Sequence, residues 1–155
     1  MDKFSIKGDN DFITVTFDKV FGFPESTSHW GGYDLNAFIE IKSRNFIVKS
    51  SFYTSTGELF EFLQQLKTCN EKVAGNIKYT SCEGDLELTA IYDSLGHVNI
   101  NGRFSEQNQF DNQLLFEFTS DQTFISSSIK DLELIANKYG DMKGVRKNNN
   151  AQHQV

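Results

Sequence analysis

The sequence predicts an α+β fold, a curved antiparallel β-sheet of about six to eight strands with two α-helices packed on its apolar face. Three observations lead there. Apolar and polar residues alternate with period two in several short segments, two other segments repeat apolar residues every three to four positions, and the order is strands, helix, strands, helix. The repeated strand-helix-strand pattern that builds a parallel sheet is missing.

Phe12 to Phe17 places Ile13, Val15 and Phe17 on one face and Thr14 and Thr16 on the other, the signature of a half-buried strand, with Phe4 to Lys7 as a shorter strand before it. Phe21 to Gly32 interrupts the pattern with Gly22, Pro24, small hydroxyl residues and the Gly31-Gly32 pair, so it reads as a long loop, and long loops in small domains often carry function. Leu35, Ala37, Ile39 and Ile41 resume the alternation, Ser43-Arg44-Asn45 turns the chain, and Phe46 to Tyr53 returns as the second arm of a hairpin. Ser55 or Thr56 caps a helix whose Leu59, Phe62, Leu63 and Leu66 form one stripe, ending near Cys69-Asn70.

Asn76 to Ser81, Asp85 to Tyr92 and His97 to Phe104 read as a meander turned at Glu83-Gly84 and Leu95-Gly96. Leu114 to Thr119 adds a last strand after a polar loop, and Ile125, Ile129, Leu132, Ala136 and Tyr139 mark a second amphipathic helix stopped by Gly140. Residues 1–140 are thus expected to form a single domain. Residues 141–155, with Asn148-Asn149-Asn150 and scattered Lys, Arg and Gln, carry too little apolar area to offset the entropy of ordering and are expected to be a disordered tail.

Fifteen Phe and five Tyr among 155 residues supply enough apolar area for one core. A net charge of −6 and a pI near 5.0 argue against nucleic acid or an anionic membrane as partner, because both are bound by Lys and Arg, and favour a basic protein instead. The absence of a long apolar run, and an amino terminus of Met1-Asp2-Lys3-Phe4-Ser5, read as cytoplasmic. Cys69 and Cys82, thirteen residues apart, read as reduced, unconnected thiols.

No motif for a zinc, nucleotide or dinucleotide site is present, so no metal or cofactor is expected. No serine stands in a nucleophile elbow, and a catalytic His97 would need a neighbouring carboxylate, so the chain does not read as an enzyme. The candidates for partner binding are Glu25, His29, Trp30, Asp34, Glu83 and Asp85. The acidic residues would meet Lys or Arg of a partner, and the single Trp beside Gly31-Gly32 would either anchor its loop to the core or project into the partner, anchoring being the blander reading.

Four segments carry a family likeness: Trp30 with Leu35-Asn36; Phe52-Tyr53 leading to Glu58-Leu59 and Phe62-Leu63; Leu95-Gly96-His97-Val98 ending at Gly102; and Phe116-Glu117-Phe118 with Asp121-Gln122-Thr123-Phe124. In this order and spacing, His29 to Tyr139 resembles the WapI-type immunity proteins, departing from their pattern at Ser126-Ser127-Ser128. The resemblance implies a single-domain inhibitor that binds a cognate toxin domain, commonly a nuclease; the leading expectation is a non-catalytic monomer that occludes the toxin's active or substrate-binding site. The competing reading is a small-molecule or lipid-binding module with a Phe-lined cavity.

Overall fold

A computed structural model describes residues 1–106 and 109–146. The alternating segments become strands β1 (Lys3–Lys7), β2 (Phe12–Val20), β3 (Asp34–Ser43) and β4 (Phe46–Ser55), followed by helix α1 (Thr56–Lys72). Strands β5 (Asn76–Thr80), β6 (Leu86–Tyr92), β7 (His97–Ser105) and β8 (Gln113–Asp121) follow, and α2 (Gln122–Tyr139) closes the order. Every neighbouring pair is antiparallel and consecutive in sequence.

The eight strands and two helices match the expected α+β class, but the strands divide into two four-stranded sheets, β1-β2-β3-β4 and β5-β6-β7-β8. The break falls where the chain leaves β4 directly into α1 and then starts β5, which pairs only with β6 and has α1 beside it. The chain is therefore two successive units of four strands and a helix. The same device ends both meanders: an extended last strand residue turns its side chain onto the new helix, Ser55 accepting from the Glu58 amide at 3.2 Å and Asp121 from the Phe124 amide at 2.8 Å.

The two units share one core. Ile13 and Val15 of the first sheet, Leu86 and Leu88 of the second, and Leu59, Leu66, Leu132 and Ile135 of the helices belong to a single buried cluster. The helices pack on each other, α2 lies along β1, and Ser128 of α2 donates to the Ser5 carbonyl at 2.6 Å. That bond gives the serine run a structural use, since only a small residue leaves β1 and α2 this close, and Ser126 meets the Asn70 amide of α1 at 3.1 Å. Between the sheets, Ser43 donates to the Glu117 carbonyl at 3.0 Å and Ser120 to that of Lys7 at 2.5 Å.

Among the described residues, the space between the two sheets has no room for a ligand. The space bounded by Phe4, Phe52, Phe62 and Tyr79 amounts to about 10 Å³, no more than one water needs. The aromatic rings fill the gap between the sheets there, which counts against the competing reading of a Phe-lined cavity.

Beyond Gly140 the chain still touches the domain. Asp141 and Gly144 form a β-bridge, the Gly32 amide donates to the Met142 carbonyl at 2.7 Å, and the Val145 amide donates to the Tyr33 hydroxyl at 2.9 Å. One backbone bond to Gly32 and one bond to the Tyr33 hydroxyl thus satisfy polar groups of residues 141–146. The rest of the expected tail, 147–155, lies outside the described residues.

Candidate functional site

The loop between β2 and β3 is tied down along its length. Ser26 donates its amide to Gly22, Ser28 to Gly32, and Gly31 to Ser28, so the loop makes its own turns. The Ser28 hydroxyl donates to the Asp34 carboxylate and accepts from the Trp30 amide at 3.0 Å. Tyr33, wholly buried, fixes the loop base: its amide donates to the Thr56 hydroxyl at 2.8 Å and its own hydroxyl to the Pro24 carbonyl at 2.9 Å. Phe23 packs edge-on against Tyr33 and Tyr139, with ring centroids 5.1 and 5.0 Å away.

Gly31 and Gly57 let this loop lie directly on the start of α1. The Gly57 amide donates to the Gly31 carbonyl at 3.2 Å, and a Cβ on Gly57 would sit 2.4 Å from the Gly31 carbonyl carbon. The result is an ordered loop whose tip stays in water. Trp30 is 48% exposed and meets His29 edge-on at 5.3 Å, so the lone Trp projects outward rather than anchoring the loop. The anchoring falls to Tyr33 and Phe23 instead.

Of the six residues singled out in the sequence, His29 meets Trp30, and Asp34 and Glu83 share a neighbour. Both carboxylates act on the Tyr53 phenol, which burial first and then Asp34 push up to about 12. Glu25 is exposed in the part of the loop that runs past Pro24, and His29 is exposed beside Trp30. Asp85 is a correction: it is 2% exposed and cannot present its carboxylate to a partner. It sits one residue before β6, where the Ser105 amide donates to its carbonyl at 2.8 Å, so this part of the turn is folded into the sheet.

The residues the sequence reading missed lie on α1 and in the β5-β6 turn. Glu58 accepts at 2.9 Å from both the Ser55 amide and the Thr54 hydroxyl, and burial raises its carboxyl above the ordinary value despite these bonds. The Ser55-x-x-Glu58 capping box was the available signal. Cys82 lies against Glu58, and burial, reinforced by Glu58 and Glu83, pushes its thiol up to about 12. Trp30, Glu58, Glu61, Lys78, Tyr79 and Met142 line a groove of about 280 Å³.

This chemistry suits recognition. The Cys82 thiol and the Tyr53 phenol stay protonated at neutral pH, so neither is a nucleophile or base. Both cysteines are free thiols. His97 does have a carboxylate, Asp93 at 2.9 Å, but that carboxylate also accepts from the Leu95 and His97 amides and forms the β6-β7 turn, with both side chains more than half exposed. Two larger hollows lie elsewhere. The one across the outer face of the first sheet, about 480 Å³, is bounded by Glu40 and Lys49, which face each other at 4.0 Å. The other, about 540 Å³, mixes the cations Lys42 and Arg44 with the acids Asp9, Asp11 and Glu117; Lys42 donates to the Asn10 carbonyl and the Arg44 backbone amide to the Asp11 carboxylate. Neither presents an aromatic side chain held out by an ordered loop and flanked by several carboxylates.

A family model described as the immunity protein WapI-like family matches residues 3–140, nearly the whole described chain. The chain belongs to that family. No curated protein and no solved structure matches it. The WapI-like immunity proteins neutralise toxins without catalysis, and this member accordingly interacts with a cognate toxin protein. Among the described residues no cluster of His, Cys, Asp and Glu could hold a metal ion, and no helix is long and apolar enough to cross a membrane.

Proposed function

We propose that this WapI-like immunity protein neutralises a basic toxin domain, a nuclease, by seating the Phe21–Tyr33 loop and its acidic surroundings over the toxin's active or substrate-binding surface. The observation that carries this reading is Trp30, half exposed on a loop pinned by Tyr33 and Gly57, with Glu58 and Glu61 beside it and Asp34 joined to its backbone through the Ser28 hydroxyl. Exposed aromatic residues on rigid supports make strong interface anchors because little entropy is lost when they are buried. A nuclease binds phosphates through Lys and Arg, and a chain of net charge −6 offers the matching field to steer association. On this reading the protein acts as a monomer in the cytoplasm of the cell it protects, without nucleic acid, membrane or cofactor.

The test mixes the purified chain with the toxin domain encoded beside it. A one-to-one complex and loss of nuclease activity are expected, with association slowing as salt rises. A complex that leaves the toxin fully active would sink occlusion, and the absence of any complex would sink the reading as a whole.

A further inference from the structure

We propose that the groove between Trp30 and the first two turns of α1 receives an arginine side chain of the toxin, its guanidinium lying on the indole face and paired with Glu61. This rests on the toxin-binding reading above and names the chemistry of one contact within it.

The groove has a flat aromatic wall, a flexible thioether and a carboxylate edge. Trp30 stays half in water, although its loop is fixed by the Trp30 amide on Ser28 and the Gly31 carbonyl on Gly57, so the indole is held ready for a partner. Met142, 36% exposed, lines the same space and can adjust to a guest. Glu58 is committed to the helix cap, but Glu61, one turn further along α1, is exposed and has no ion pair among the described residues.

Charge selects the occupant. Glu58 and Glu61 outnumber Lys78 on the groove wall. A phosphate or carboxylate would be repelled. Among cations, a planar guanidinium both stacks on an indole and forks onto a carboxylate, whereas a lysine ammonium is a compact, strongly hydrated point charge. Arginine therefore fits a groove that offers an aromatic plane and a carboxylate together.

Trp30 is the only Trp in the chain, so indole emission reports this groove alone when the toxin domain used carries no Trp or is excited as a difference. The experiment titrates the full chain and its Trp30→Ala and Glu61→Gln variants with the toxin domain, and repeats the series with toxin variants in which each surface arginine is changed to glutamine. We expect an emission shift in the parent and in Glu61→Gln on binding and, by titration calorimetry, which needs no indole, a tenfold or greater rise in Kd for each variant. We also expect one toxin arginine whose loss costs at least tenfold in the parent and nothing further in Glu61→Gln. Unaltered melting of Glu61→Gln separates binding from folding. A parent complex with unmoved emission, or one in which Glu61 couples to a lysine or to no basic residue, overturns the arginine contact and leaves toxin binding standing. Failure of the parent chain to bind at all overturns both.

Discussion

The buried hydroxyl of Tyr33 donates to the carbonyl of Pro24 at 2.9 Å. From the other side it accepts the amide of Val145, so one side chain holds both the exposed loop and the segment after α2. Tyr33→Phe keeps the ring packed on Phe23 but frees both partners, and should cost about 1–2 kcal/mol. Urea unfolding measures the loss, and limited proteolysis should show cleavage in the Phe21–Tyr33 loop. An unchanged midpoint with an uncut loop would show that the hydroxyl is dispensable.

Gly57→Ala tests the contact between the loop and α1. In an ordinary helix Ala is better than Gly by about 1 kcal/mol. Here the new Cβ would lie 2.4 Å from the Gly31 carbonyl carbon, backbone that cannot rotate away, so the sign should reverse and the variant should lose about 1–3 kcal/mol. Trp30 should move with the loop, changing its emission in the free protein. A stabilised variant would mean that loop and helix separate easily.

Glu58 gives stability a dependence on pH. Burial raises its carboxyl in the folded chain, so the native state holds a proton that the unfolded state releases, and this contribution is complete below the unfolded value and lost as pH rises through the folded one. Glu58→Gln keeps an acceptor for the Ser55 amide and the Thr54 hydroxyl and removes that slope. Its stability should equal or exceed that of the parent above the window, whereas Glu58→Ala should cost about 1 kcal/mol through loss of the capping box. Chemical denaturation on both sides of the Glu range checks this, and parallel pH profiles for parent and Gln variant would refute it.

Asp2 contributes with the opposite sign. Partial burial opposes its charge, but hydrogen bonds from Lys138 at 2.9 Å and Tyr139 at 2.8 Å outweigh it and hold the carboxyl below its ordinary value. This stability is present above the unfolded carboxyl range and lost as pH falls through the lowered one. Asp2→Asn should melt lower than the parent at neutral pH, with the difference closing in acid. A gap that persists at low pH would show that the two bonds do not depend on the charge.

Much of the fold was legible because its elements are local in origin. Period-two alternation marked most of the strands, and the Leu59-Phe62-Leu63-Leu66 stripe marked α1, since a strand or helix needs only its own spacing to present an apolar face. The division into two sheets was not legible, because alternation says which face is apolar and not which edge meets which. The candidate site was half legible. Trp30 stood out as a lone aromatic beside glycines, whereas Glu61 looked like any exposed helix residue, and Asp85 looked like a surface acid until the fold enclosed it.

The sequence by itself determined the α+β class, a cap for α1 at Ser55 or Thr56, the turns and the family likeness, all of which rest on patterns within short stretches of chain. Only the tertiary structure decided that Tyr33 ties the loop to residues beyond α2 and that Trp30 stays outside. It also decided that Tyr53 meets Asp34 under the field of Glu83. Such contacts join residues far apart in sequence, and which of them form depends on how two sheets and two helices share one core.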